Sequence, residues 1–279
     1  KLSRTGHTAW TLTEVEFTDG PYLSENTTAT TITPQQTAAA TGKTLTLSAI
    51  TGVNGGVGWL ATDVGRIVSF NSGKAKITAR TNATVAVATI TKDFANTDAT
   101  AAFKLGAFSD TTGHPSCVSF FEQRLVFAGT SDEPQTLYFS KSGDYENMTT
   151  GTNADDAMVY TIASNQVNKI RYLKAVRTLL IGTTGGEFSV SADGTDAAVT
   201  PTNVTQIRKQ SSFGAANVDA QPAGNAILFL QRAKRKIREL AYNYDTDGYI
   251  APDLTILNET VTNSGINEMA YQQAPDSIL

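Results

Sequence analysis

The chain has 279 residues, 40% of them hydrophobic and 17% charged, with two histidines and one cysteine. That length suffices for one large or two ordinary domains, and the net charge of −4 argues against nonspecific nucleic-acid binding, which needs a cationic face to displace counterions from phosphate. A single cysteine excludes an intrachain disulfide framework and a cysteine-based zinc cluster, and no apolar run approaches the roughly 18 residues of a membrane span.

No secretory leader is visible, but the first residue is Lys1 and the last, Leu279, stands inside an apolar run. The chain is therefore expected to be a piece of a longer protein, so the missing leader carries no information. Residues 1–33 form a leading segment: Thr11 to Phe17 alternates like a strand and closes at the turn Asp19-Gly20-Pro21-Tyr22. Polar, Thr-rich sequence follows, of the kind that runs over a surface.

Residues 34–106 read as a small β-module, a sandwich or barrel expected to fold by itself. Alternating runs at 45–49, 66–70, 75–79 and 84–90 are separated by Gly, Asn and Asp, with Asn71-Ser72-Gly73 as one turn. Four or five short strands suffice for such a module.

From 107 to 279 a unit of roughly fifty residues recurs. Its first pass runs through Phe120 and Phe121, then residues 125–129 and 136–140; its second through Tyr172 and Leu173, then 179–182 and 187–190; its third through Val218, then 226–230 and 237–241. A fourth strand is expected in each unit, at 157–162, 204–208 and 254–257, with turns at Ser142-Gly143-Asp144, Ala192-Asp193-Gly194 and Asp245-Thr246-Asp247-Gly248. A fourth unit opens at Met269-Ala270-Tyr271 and is cut at Ile278-Leu279. Repeats of this length built from short strands indicate propeller blades or a related β-repeat, because one blade cannot bury its own apolar faces. The fold class expected is all-β, with propeller-like four-stranded units and a separate small β-module.

Candidate chemistry is sparse. His7 and His114 sit in different modules, and His114 precedes Pro115 in a turn context. A Ser-His-Asp triad is recognised by geometry and stays open, although no Gly-x-Ser-x-Gly elbow occurs. Cys117 beside Val118 reads as a core thiol. Asp155-Asp156 and Asp245 to Gly248 read as turn acids; counted from Asp245, the position where an EF-hand loop needs a bidentate Glu is Ile256. Thr183-Thr184-Gly185-Gly186 lacks the Lys of a phosphate loop and reads as a hairpin turn. Arg232, Lys234, Arg235, Lys236 and Arg238 alternate with Ala233 and Ile237 like the solvated face of a strand. Glu122, Glu187 and Glu239 lie on or beside repeat strands, which leaves a bladed hydrolase open. Sequons at Asn26, Asn82, Asn147, Asn203 and Asn258 are expected by chance in a chain this rich in Asn and Thr. No catalytic residue, metal ligand or cofactor is assigned.

The run Gly113-His114-Pro115-Ser116-Cys117-Val118-Ser119-Phe120-Phe121-Glu122-Gln123-Arg124-Leu125-Val126-Phe127-Ala128-Gly129-Thr130, followed by Pro134-Gln135-Thr136-Leu137-Tyr138-Phe139-Ser140-Lys141-Ser142-Gly143-Asp144-Tyr145, resembles the signature of the tail tubular protein B, or tail nozzle, family of short-tailed bacteriophages (podoviruses) and related prophages. Further similarity lies at residues 19–22, 248–255, 269–273 and 275–279. It is weakest over 34–106, and His114 and Cys117 stand where an aromatic and a small residue are expected. The resemblance implies a virion structural protein containing a β-propeller: a subunit of a hexameric ring below the portal and adaptor. Such a ring would carry viral DNA through its lumen without reading its sequence and would touch tail fibres. It also implies no catalytic residues and assembly in the bacterial cytoplasm. The alternative is a phage or bacterial surface module that binds or cleaves carbohydrate with loops at one end of the blades.

Overall fold

A computed structural model describes residues 2–13, 15–192, 198–203, 206–272 and 274. The chain divides into two compact units between His114 and Pro115. Among the described residues every extended element is paired antiparallel in a sheet, and the only helical turns are three-residue 3-10 segments at Asn54–Gly56 and Ala61–Asp63.

In the first unit, β1 (Leu2–Arg4) and β2 (Trp10–Leu12) make a hairpin that leaves Trp10 and Leu12 exposed. The alternation expected through Phe17 ends as a strand at Leu12, with Glu14 outside the described residues. A six-stranded sheet then runs β3-β4-β7-β6-β5-β8, from β3 (Ile32–Pro34), β4 (Lys43–Leu47), β5 (Ile67–Phe70), β6 (Gly73–Arg80), β7 (Val85–Lys92) and β8 (Phe103–Leu105). Strand side chains alternate between faces, so Leu45, Leu47, Val68, Phe70, Ala75, Ile77, Ala86, Ala88 and Ile90 point to one side and enclose Val53 and Trp59 in a single core.

The two ends of this sheet meet. Ile32 and Thr100 exchange backbone hydrogen bonds at 2.8 and 3.1 Å, and the amides of Leu23 and Asn26 reach the carbonyls of Leu105 and Phe103 at 2.8 and 2.9 Å. Residues on both sides of position 34 therefore share one sheet. A buried ion pair pins the connection between β4 and β5: Arg66 Nη1 lies 3.0 Å from Asp63 Oδ1, with both side chains inaccessible to solvent. Asp63 Oδ2 also accepts from the Leu60 amide and Asn54 Nδ2, each at 2.7 Å.

Among the described residues the second unit contains three four-stranded antiparallel meanders, the all-β, propeller-like units that the fifty-residue period predicts. The first is β9 (Cys117–Phe121), β10 (Arg124–Ala128), β11 (Thr136–Phe139) and β12 (Met158–Thr161). The second is β13 (Ile170–Ala175), β14 (Leu179–Thr183), β15 (Gly186–Ser191) and β16 (Gln206–Ser211). The third is β17 (Gln221–Ala223), β18 (Ala226–Leu230), β19 (Ile237–Asn243) and β20 (Gly248–Ile250).

The fourth strand of the third meander is thus β20, while 254–257 forms turns. Asp253 Oδ1 accepts from both the amide and the hydroxyl of Thr255, at 2.9 and 2.7 Å, which bends the chain away from an extended course. Leu257 is left 96% exposed. Asp193 and Gly194 of one expected turn, the start of the run at 204–208 and the apolar pair Ile278-Leu279 fall on positions outside the described residues.

Successive meanders pack face to face. Val126, Ala128, Leu137 and Phe139 of the first meet Leu179, Ile181, Phe188 and Val190 of the second. The opposite face of the second, through Tyr172 and Leu180, meets Ile227, Phe229 and Leu240 of the third. Hence β14 is buried along its whole length. Tyr172 pairs with Gly182 across the ladder, and a Cβ at Gly182 would come within 2.0 Å of the Tyr172 ring. Gly182→Ala is expected to lower stability by about 1–3 kcal/mol, the cost of overfilling a packed core. Urea unfolding of Gly182→Ala with and without Tyr172→Leu checks this, the second change recovering part of the loss; equal losses in the two backgrounds would contradict it.

Candidate functional site

The run from Gly113 to Tyr145 supplies the first three strands of the first meander, β9 to β11, and its polar residues fix backbone. Glu122 and Gln123 form the two-residue turn between Phe121 and Arg124, at φ of 46° and 59°, the left-handed geometry that suits the twist of a tight hairpin. The buried Arg124 guanidinium donates to the carbonyls of Ser140, Asp156 and Ala154 at 2.8, 2.7 and 2.5 Å, clamping the segment between β11 and β12. Tyr138 donates to Glu133 at 2.6 Å, and the Ser140 hydroxyl accepts the Leu125 amide at 2.9 Å. Gly129 is left-handed at φ 77°, and a Cβ there would sit 2.6 Å from Ser116 Oγ.

The other sequence candidates also contact neighbouring side chains or backbone. Cys117 is a buried thiol among Val126, Ala128 and Leu137, and burial pushes its pKa up. His114 Nε2 lies 3.2 Å from Asp110 Oδ1 and is exposed; His7 lies beside Arg4 on the β1–β2 hairpin. Lys141 bridges Asp155 and Asp156 at 3.5 and 3.0 Å, and its hydrogen bond holds Asp156 below the usual carboxylate range. Asp247 accepts from Tyr242 in a turn. Thr183 Oγ1 donates to the Gly186 carbonyl at 2.7 Å, closing the hairpin at 183–186. No group of three or more His, Cys, Asp and Glu side chains able to hold a metal occurs among the described residues.

The basic cluster departs from the strand face that its alternation predicts. Residues 232–235 form the turn between β18 and β19, with Lys234 left-handed at φ 61° and its amide bonded to the Gln231 carbonyl at 2.8 Å. Turn geometry overrides the alternation. Lys236 pairs with Asp253 and Glu259 at 2.9 and 3.0 Å, Arg235 donates to Asn263, and Arg238 stacks 3.5 Å from the centre of the Phe213 ring.

Glu122, Glu187 and Glu239 stand on three different meanders. Glu122 accepts the Val199 amide at 2.6 Å. Glu187 is fully buried on β15; one oxygen accepts from Ser211, while Oε1, like the Tyr172 hydroxyl, is buried without a hydrogen-bond partner. Burial pushes the Glu187 pKa up, against the Ser211 hydroxyl and the amides of Phe213 and Gly214.

Glu239 lines a cleft of about 600 Å³ between turns of the second and third meanders. Arg177, from the β13–β14 turn, and Asn225, from the β17–β18 turn, stand at its walls with Tyr242 and Tyr249 of the β19–β20 hairpin. The two tyrosine rings meet edge-on at 5.7 Å. Both hydroxyls are tied down: Tyr249 to Thr178 at 2.9 Å, and Tyr242 to Asp247 at 2.6 Å.

No protein-family model and no curated protein matches the chain. Among solved structures, it is similar to an auxiliary nutrient binding protein from Bacteroides thetaiotaomicron, at 10% identity and a TM-score of 0.31. That similarity covers 79% of this chain and 57% of the other.

Sequence reasoning missed this cleft because its parts, turn residues of two meanders and strand residues of the third, are far apart in the chain. The one legible signal was the placement of Glu239 on a repeat strand.

The raised pKa of Glu187 has a definite sign. Between the ordinary Glu range and the raised value, the folded chain keeps a proton that the unfolded chain has lost. Stability therefore falls as pH rises through that window, by up to about 1.4 kcal/mol per pH unit. Glu187→Gln is expected to remove this slope. Chemical unfolding from pH 4 to 8 checks it; parallel curves for the two proteins would contradict it.

Proposed function

We propose that this chain is a structural virion protein, a nozzle or tube subunit of a short phage tail that forms part of the DNA-ejection channel. The observation that carries this reading is the run from Gly113 to Tyr145. It resembles the tail signature, and its polar side chains are committed to backbone turns and carbonyl clamps. Function then comes from assembly. Full-length copies close head-to-tail into a ring, six-fold by resemblance, because heterologous contacts close when their rotation does. The ring meets the adaptor and the tail fibres, is assembled in the bacterial cytoplasm and is carried in the virion.

Viral DNA passes through the lumen without sequence-specific binding. The net charge of −4 is compatible with transit, since a cationic lining would hold phosphates and slow them. In this reading the chain has no catalytic turnover and takes no cofactor. The alternative, a surface propeller module that binds or cleaves carbohydrate, has the tyrosine-lined cleft in its favour. Cleavage would need two carboxylates about 5–9.5 Å apart across the scissile bond; of Glu122, Glu187 and Glu239 only Glu239 lines the cleft, and Glu187 is fully buried.

Genetics of the encoding phage tests the reading. A stop codon replacing Lys141 is expected to leave heads without complete tails and to abolish plaques, with both restored by the gene supplied in trans. Particles that keep their DNA and build complete tails without this protein would contradict it.

A further inference from the structure

The cleft between the second and third meanders plays no part in the assembly reading. Its aromatic lining comes from Tyr242 and Tyr249, and their edge-to-face contact and engaged hydroxyls hold both rings in place. Around them stand a cationic donor, Arg177; an amide that donates and accepts, Asn225; and an acceptor, Glu239. None of these three side chains forms a hydrogen bond or ion pair with a described residue. Fixed aromatic faces beside a few uncommitted polar groups, in a space within the roughly 300–1,000 Å³ of small-ligand sites, suit a ligand with apolar C–H faces and many hydroxyls.

Charge narrows the class. Arg177 stands with Glu239 at the cleft and Asp247 behind Tyr242, so the site has no cationic excess with which to recruit a polyanion. Glu239 is the only carboxylate among the described residues that line the cleft, so no pair of acids faces a bound ligand there.

We propose that this cleft binds a neutral oligosaccharide, with the Tyr242 and Tyr249 rings as stacking platform and Arg177, Asn225 and Glu239 as partners for sugar hydroxyls. The site binds without cleaving. It stands independently of the tail assignment, and it gives the chain a contact with glycan that assembly alone does not require.

A printed array of neutral oligosaccharides, with sulfated and phosphorylated glycans and unstructured peptides beside them, tests the proposal on the whole 279-residue chain; calorimetry with the strongest neutral oligosaccharide follows. Binding to neutral glycans is expected, weakened about ten-fold or more, which corresponds to ~1.4 kcal/mol, by Tyr242→Ala and by Asn225→Ala. Tyr242→Phe, which keeps the ring, is expected to retain affinity within about three-fold of wild type. Tyr242 and Asn225 are exposed, so both alanine variants should melt like wild type; if Tyr242→Ala does not, Asn225→Ala and Arg177→Ala decide. No binding to any neutral glycan, binding only to anionic glycans or peptides, or glycan affinity unchanged in the decisive variants would overturn the proposal.

Discussion

A four-stranded antiparallel sheet has two faces and can cover neither alone, and in the second unit that constraint is met by stacking one sheet on the next. β14 shows the consequence. Leu179 and Ile181 face one neighbour and Leu180 the other, so the strand reads as a continuous apolar run where a half-buried strand would alternate. Each such side chain contributes about 1.5–3 kcal/mol by leaving water. Fold and spacing follow: a meander of about fifty residues presents a fresh pair of faces each time it recurs. Gly182 belongs to the same constraint, because the Tyr172 ring occupies the space that a side chain there would need.

Buried polar side chains then fix what the apolar faces cannot. Arg124 gathers four carbonyls from the segment beyond β11, and the Asp63–Arg66 pair does the equivalent for the long β4–β5 connection in the first unit. Removing one member of such a set leaves the other groups desolvated and unpaired, which costs more than the bond itself contributes. The residues that look most like a signature in the sequence are therefore largely the residues that hold turns and loops. The candidate ligand site lies outside the Gly113–Tyr145 run.

What was legible in the sequence was periodic. One strand of each repeat, at 125–129, 179–182 and 226–230, is carried by local alternation or an apolar run, and each expected span lies within its strand or overruns it by no more than one residue. Turn chemistry was legible at Asn71-Ser72-Gly73 and at Asp245 to Gly248. Patterns failed where a side chain redirects the backbone: Asp253 bends the apolar run at 254–257 into turns, and Lys234 turns the basic cluster away from the strand it imitates. The short strands β3 and β8 were also hidden, since three residues carry no period and Ile32 is placed by its pairing with distant Thr100. The cleft was hidden for a related reason. Its walls join a turn of the second meander to a turn and two strands of the third, and their proximity exists only once the two meanders are stacked.

The central claim, that this fold works as a repeated unit of a tail assembly, is tested most directly by electron cryo-microscopy of intact virions of the phage or induced prophage that encodes the chain. The account predicts density for the three stacked meanders in a six-fold ring beneath the portal and adaptor, around a channel open to DNA. Virions whose tail density is fully explained by other proteins, with this chain absent from the particle, would contradict it.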